Sequence, residues 1–506
     1  MDGLRRFGLL FLALLLPACG SGGGGGGGGS GLPPTLRPRV YFQADKNTVG
    51  TNELFAVLDD DTVVNLSGVP VPGGNLLTWR PSFDGKWVAF VADKDMDEVE
   101  ELYVAPSTGG PAVKVSGAMV AGGDVYRIVW WSPDSSRVLF LADREVDETF
   151  ELYTATPTGL IPNKVSGTLV PGGDVYYASF GWAGSRIVYA ADQNVDGQNE
   201  IFSVAPDGSG AVELTESVSA TARSIEFDVS PDGLQVALFA VSTPGAPEQI
   251  YAVPASGGAP VTFSGGLAGG VIRLAYRGWS PDQSKYAYVE NAELYTINVD
   301  GTNRTKVSTS TVFSGSMSWS PDSAYLLYRF GLTAQAGVAG SEVDVVNPLG
   351  GGETLGFIGW STKGHGISYS KGGAAKALFV TSAGVAGGGT QISATPGWAV
   401  DVGLFMWVEN DTSLVFVGDE TTDGFLELYK SPLAGSPHVN LSSPALEGGI
   451  LAFYLSYDST TIYFSACREV AGTFELYSIP AAGGALKKLS GPMVAGGRVG
   501  FLLPAH

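Results

Sequence analysis

The chain has 506 residues, 44% of them hydrophobic and 16% charged, with 72 glycines and two cysteines. Its 29 basic and 50 acidic residues leave a formal net charge of −21 at pH 7, which repels nucleic-acid phosphates and anionic headgroups and argues against both as partners. With Cys19 and Cys467 as the only thiols, packing rather than disulfides must hold a fold of this size.

At the N-terminus, Arg5 and Arg6 precede a ten-residue apolar run, Phe7 to Leu16. A membrane-spanning helix needs ~20 such residues, so the run suits the apolar region of an export signal. It closes on Leu16-Pro17-Ala18-Cys19-Gly20. This resembles a bacterial lipobox, and the resemblance implies a signal peptide over residues 1–18 and lipidation at Cys19. An ordinary secretory signal cleaved nearby is the alternative. Ser21, the glycines Gly22 to Gly29 and Ser30 follow, within a segment over residues 19–38 that buries nothing and acts as a tether. No aspartate follows Cys19, so nothing resembles the inner-membrane retention signal of enterobacterial lipoproteins. The expectation is an outer-membrane lipoprotein facing periplasm or exterior, monomeric, held to the membrane through its lipid alone.

Beyond the tether the chain repeats itself. "VAFVADKDMDEVEELYVAPSTG" (88–109), "VLFLADREVDETFELYTATPTG" (138–159) and "IVYAADQNVDGQNEIFSVAPDG" (187–208) are variants of one unit. The apolar–aromatic pair that marks it recurs at Leu54, Leu102, Leu152, Ile201, Ile250, Leu294, Val343, Leu378, Leu428 and Leu476. The interval from Val343 to Leu378 is visibly shorter than the others. Each unit holds four short β-type runs. The first ends in tryptophan before a Ser-Pro-Asp turn, as at Trp131, Trp279 and Trp319. Proline presets φ and aspartate suits the next turn position. Recurrent tryptophans (Trp79, Trp131, Trp182, Trp279, Trp319, Trp360, Trp407) are expected in the core. Four antiparallel strands per repeat is the grammar of a β-propeller blade.

"WSPDSSRVLFLAD…ELYTATPTG" resembles the WD40-like repeat of TolB-type propellers, also found in the propellers of prolyl oligopeptidase relatives. The resemblance covers residues 39–503 and implies an all-β propeller of about ten four-stranded blades over residues 39–506, associated with the cell envelope. The enzymes of that group carry a separate hydrolase domain, for which no residues follow the last blade. The first unit starts at its second strand, "RVYFQAD" (39–45), and a stray "RVGFLLPA" (498–505) follows the last. Pairing of the two would complete a blade from both termini and remove sheet edges. Two smaller propellers in tandem, joined near residues 343–378, are the alternative.

Catalysis has little support. The three histidines, His365, His438 and His506, lack zinc spacing, and no Gly-x-Ser-x-Gly elbow occurs. The hairpins between second and third strands carry the one suggestive pattern. "DQNVDGQNE" places Asp192, Asn194 and Asp196 at positions one, three and five, with Gly197 in the bend. Asp93, Asp95 and Asp97 fill the same slots, as do Asp143, Glu145 and Asp147; Asp419, Thr421 and Asp423 fill them less well. Calcium takes oxygens from alternate residues of such loops, and the pattern resembles the hairpin loops of integrin α-subunit propellers. The expected cofactor is therefore calcium; the competing reading is a solvated hairpin tip. The glutamate at position nine, Glu200 here, also precedes strands that have no such loop, so it belongs to strand structure. The functional expectation is a non-enzymatic protein-binding scaffold for an envelope protein or surface ligand. A glycan-binding protein or polysaccharide-active enzyme using the channel is the alternative, for which "STKGHGISYSKGG" (361–373) is the least repeat-like stretch. A purely structural lipoprotein is the third.

Overall fold

The computed structural model describes residues 36–505, apart from 181–185, 220–222, 243–245, 266–271, 309–316, 331–332, 338–342, 347–348, 350–351, 374, 387–388, 394–401 and 443–446. Cys19, the signal segment, the glycine tether, Trp182, Glu342 and His506 lie outside the described residues.

Ten four-stranded antiparallel sheets follow one another along the chain, each ordered as its strands occur in sequence except the first. Blade 3 shows the pattern: Val125–Trp131, Val138–Ala142, Glu151–Ala155 and the short outer strand Asn163–Lys164. In its second and third strands every residue is buried, rather than alternate ones. Both faces of the sheet are covered by neighbouring blades, which turns strand alternation into continuous apolar runs. An aromatic pair stacks across these two strands in most blades, such as Phe140 on Tyr153 at 5.6 Å and Tyr189 on Phe202 at 5.2 Å.

The Ser-Pro-Asp turns close on themselves. Ser132 Oγ donates to Asp134 at 2.6 Å and accepts the Arg137 N–H at 3.0 Å, and Ser280 and Ser320 repeat the bond to Asp282 and Asp322. The tryptophan just before the turn is buried, as expected, and also reaches sideways. Trp131 Nε1 donates to the Arg80 carbonyl at 2.9 Å, Trp279 to Asp228 at 3.0 Å and Trp319 to Gly278 at 3.0 Å. Each bond fixes one blade's first strand against that of the blade before.

Ten apolar clusters each join two consecutive blades. One packs Val40, Phe42 and Leu502 of blade 1 against Tyr463 and Leu476 of blade 10. Blade 1 is assembled from both ends of the described chain: Val499–Pro504 lies antiparallel to Pro38–Ala44, with Phe42 opposite Leu502. The returning strand brings Phe501 to 5.4 Å from Trp79 of blade 2. Termini therefore pair as the repeat arithmetic predicts.

Blade 7 corrects the repeat register. Its third strand is Thr333–Gly337, whose Ala334 and Gln335 pair with Arg329 and Tyr328. Val343–Val346 is the outer strand, so Val343 does not mark the third strand. Gln335 stands opposite Tyr328, where an aromatic sits in most sister blades, and the missing aromatic displaced the alignment. With Ala334 between Leu294 and Leu378 the spacing evens out. The cluster joining blade 7 to blade 8 also runs through this stretch, with Val345 and Val346 beside Trp360 and Tyr369, so the packing continues where the alternative of two propellers places its junction.

Candidate functional site

In this topology the second-to-third-strand hairpins and the connections from one blade to the next lie at the same end of the sheets. Six hairpins share one frame: 45–53, 93–101, 143–151, 192–200, 419–427 and 467–475. Their sixth residue is left-handed in all six, at Gly50, Glu98, Glu148, Gly197, Gly424 and Gly472, with φ from 61° to 84°. The reason is a cap. The N–H of Gly197 donates to Asp192 Oδ2 at 2.9 Å, and Gly50, Glu148 and Gly424 donate likewise at 3.0 Å to Asp45, Asp143 and Asp419. The position-one carboxylate closes the loop as Asx turns do.

Its second oxygen faces the blade-to-blade connection. Asp192 accepts the Asp174 N–H, Asp143 that of Asp124, Asp93 that of Asn75 and Asp45 that of Arg498. These donors end a motif missed at the sequence level: Ser-Gly-x-x-Val-x-Gly-Gly followed by Asp, Asn or Arg, at 67–75, 116–124, 166–174 and 490–498. The second glycine is required by close approach, because a Cβ at Gly173 would sit 2.6 Å from the Asp192 carbonyl. The side chain at the motif's end then reaches back one blade. Asp174 Oδ1 accepts the Phe150 N–H at 2.8 Å, Asp124 that of Glu100 at 2.7 Å and Asn75 that of Asn52 at 3.1 Å. Backbone bonds run alongside, from Val499 to Phe474, Leu76 to Asn52, Val125 to Glu100, Val175 to Phe150 and Ser224 to Asn199. With Ile450 bonded likewise to Leu426, the hairpins of blades 9, 10, 1, 2, 3 and 4 are thus tied in succession into one rim.

Charge along the rim follows from these bonds. Burial pushes the Asp192 carboxyl up, but N–H groups of Asp174 and Gly197 and the Tyr176 hydroxyl outweigh it and hold the group below the usual carboxylate range. Asp174 goes the other way: burial, together with the nearby Asp192 charge, raises it despite the Phe150 N–H.

The proposed calcium residues are not brought together. Position one (Asp93, Asp143, Asp192) faces inward with oxygens occupied by N–H groups. Position five (Asp97, Asp147, Asp196) is exposed and leans over the first glycine of the connection; a Cβ at Gly172 would lie 3.1 Å from Asp196 Oδ2. Position three turns aside. Asp95 lies 3.5 Å from Lys94, Glu145 lies 3.5 Å from Arg144, and Asn194 Nδ2 donates to Glu213 at 3.0 Å. Among the described residues no three His, Cys, Asp or Glu side chains form a group able to hold a metal ion. The repulsion between carboxylates is relieved by backbone N–H groups and by the basic residue at position two. Lys94, Arg144 and Arg468 lie 5.5, 5.8 and 5.6 Å from the ring centres of Tyr103, Tyr153 and Tyr477.

Glutamate at the start of the third strand has its own role. Tyr153, two residues on and on the same face, donates to Glu151 at 2.7 Å, and Lys164, paired with Tyr153 across the outer strand, bonds the same carboxylate. Glu101–Tyr103–Lys114, Glu293–Tyr295–Lys306 and Glu475–Tyr477–Lys488 repeat the arrangement. Blade 4 departs from it: Phe202 and Glu213 stand where tyrosine and lysine do elsewhere. Burial and the Glu213 charge consequently raise Glu200 above the carboxylate range, against the Asn194 N–H.

The two described histidines are engaged in structure. His365 Nε2 meets Asp322 of the preceding blade's turn at 2.5 Å, and His438 Nδ1 meets Glu420 at 2.6 Å. The "STKGHG" turn is held by Asp411, which accepts the Thr362 and Lys363 N–H groups at 3.0 and 2.8 Å. It borders a cavity of about 470 Å³ between blades 8 and 9, lined in part by Ser361, Trp407 and Leu433.

No family model matches the chain, and no curated protein matches it in sequence. Among solved structures, TolB from Acinetobacter baumannii is 16% identical over 53% of this chain and 62% of its own, with a TM-score of 0.27. A putative TolB from Agrobacterium tumefaciens is 19% identical over 58% of this chain and 99% of its own, at 0.29. Dipeptidyl peptidase 4 from Porphyromonas gingivalis is 12% identical over 84% of this chain and 59% of its own, at 0.45. The chain thus spans less than two thirds of the Acinetobacter and Porphyromonas structures. The propeller assignment rests on the blades themselves.

Proposed function

We propose that this chain is a non-enzymatic propeller scaffold that docks another protein on its hairpin rim, tethered to the bacterial envelope by lipid at Cys19. The observation that carries the reading is the rim: six hairpins of consecutive blades in one frame, bonded blade to blade, with residues three to six of each turned to solvent in blades 1 to 4. A row of loops on a rigid support is how scaffolds present recognition surfaces. We take the ten blades to close as one ring, which the pairing of Pro38–Ala44 with Val499–Pro504 and the blade 10–blade 1 cluster support. Residue-specific cross-linking from position 196 in whole cells, read against position 160 at the other end of the blades, tests docking. A discrete cross-linked partner from 196 alone is expected, and equal or absent products would overturn it. Labelled palmitate incorporated by the wild-type chain and lost in Cys19→Ser tests the anchor.

Calcium binding would require the side chains at positions three and five to turn toward position one, and the position-one carboxylate to release N–H groups it caps. The present arrangement predicts a melting temperature indifferent to chelator. A rise with calcium that Asp196→Ala abolishes would reassign these loops to metal. Exposed aromatics on the first strands, Tyr126, Tyr176, Tyr177 and Phe357, favour carbohydrate binding as the second reading, tested by oligosaccharide-induced change in tyrosine fluorescence.

A further inference from the structure

The rim has an apolar component that neither the carboxylates nor the repeat explain. The tip of each hairpin in blades 10, 1, 2, 3 and 4 holds one large aliphatic side chain in solvent: Val470, Val49, Met96, Val146 and Val195, exposed by 49, 59, 64, 59 and 44%. Single exposed apolar residues need no explanation. Met96, Val146, Val195 and Val470 hold position four and Val49 position five, so five successive loops, bonded side by side, each carry one at the tip and form a series. Around them stand exposed carboxylates, including Asp97, Glu98, Asp147, Glu148 and Asp196. Of the basic residues in the same loops, Lys94, Arg144 and Arg468 lie against tyrosine rings, with Lys94 and Arg144 also beside the position-three acids Asp95 and Glu145.

Resting on the docking role above, we propose that this rim takes a basic amphipathic protein segment, with apolar side chains on the valine and methionine tips and Lys or Arg between them on the carboxylates. Charge complementarity selects this occupant. An anionic lipid surface is repelled by the acids, a small cation leaves the tips uncovered, and an acidic or purely polar segment satisfies one half of the pattern only. Electrostatics would steer the encounter and the apolar tips would hold it.

The test uses the folded chain from residue 31 and a synthetic peptide of about 18 residues with Lys and Leu at helical amphipathic spacing. A Lys–Ser peptide of equal charge, a Glu–Leu peptide and phosphatidylcholine vesicles are the comparison probes. The expected result is saturable binding of Lys–Leu alone, weakened by salt and about tenfold or more by M96S/V146S/V195S. L160S/I161S, which alters an exposed apolar pair at the other end of blade 3, should bind as wild type does. Both variants change solvent-exposed positions, and unchanged melting curves would show that they fold. Equal binding of Lys–Ser, equal loss in L160S/I161S, undiminished binding by the triple variant or vesicle capture would each overturn the proposal. Docking itself would stand if the cross-linked partner at position 196 survived M96S/V146S/V195S; only the chemistry assigned to it would then fall.

Discussion

Asp192 shows how one side chain fixes two distances. One carboxylate oxygen closes its own hairpin on Gly197 and the other receives the incoming connection at Asp174. Replacing it with alanine strands buried N–H groups, at a cost of about 1–3 kcal/mol; Asp196→Ala, at an exposed position, should change stability by less than about 0.5 kcal/mol. Urea denaturation at neutral pH checks both. Because the folded-state pKa of Asp192 is depressed, its contribution is present above the unfolded carboxylate value and lost as pH falls through the folded one. The deficit of Asp192→Ala should therefore shrink in acid. That aspartates alternate at 192 and 196 is plain in the sequence. Their opposite fates are not, since the donors to Asp192 include a backbone N–H eighteen residues away.

At the scale of the element, the hairpin and the connection after the outer strand form one device. Gly197 supplies a left-handed φ of 70° with open space around its Cα, whereas Gly173 supplies room beside a carbonyl. Gly197→Ala should thus cost about 1–2 kcal/mol from the backbone conformation alone. Gly173→Ala forces a Cβ into the Asp192 carbonyl and costs about 1–3 kcal/mol as strain, with the rim loosened as well, read as faster amide exchange at Asp174. Blade 4 gives a pH signature. Glu200, raised by burial and by Glu213, has a stabilising share that is full below its unfolded pKa and lost as pH rises through the folded value. Glu200→Gln should melt above wild type at neutral pH, and the difference should close on acidification. The alternation, the turns and the loop frame were legible in the sequence because each depends on neighbours within a few residues. Blade 7 was not, because its third strand lacks the aromatic by which the others are aligned.

For the whole molecule, the decisive element is Val499–Pro504, which fills the first-strand place of blade 1 and covers Trp79 and Val40. Removing residues 498–506 should lower the melting temperature and open blade 1 to limited proteolysis. A peptide of residues 498–505 added in trans should restore protection. A truncated chain as stable and protease-resistant as wild type would separate the terminal pairing from the fold's integrity.

Outside blade 7, the strands, their grouping by four, the Ser-Pro-Asp turns and the pairing of the two ends follow from local alternation and a counted repeat, and could be read without the fold. Which groups the acidic hairpins bond in the fold is visible only in the tertiary structure. Oxygens available in the sequence are occupied by backbone groups from the adjoining connection, and aliphatic residues inconspicuous in a row of acids become a series of tips along one rim. Both outcomes depend on which groups meet across blades, and a repeat states its own period without stating what its copies face.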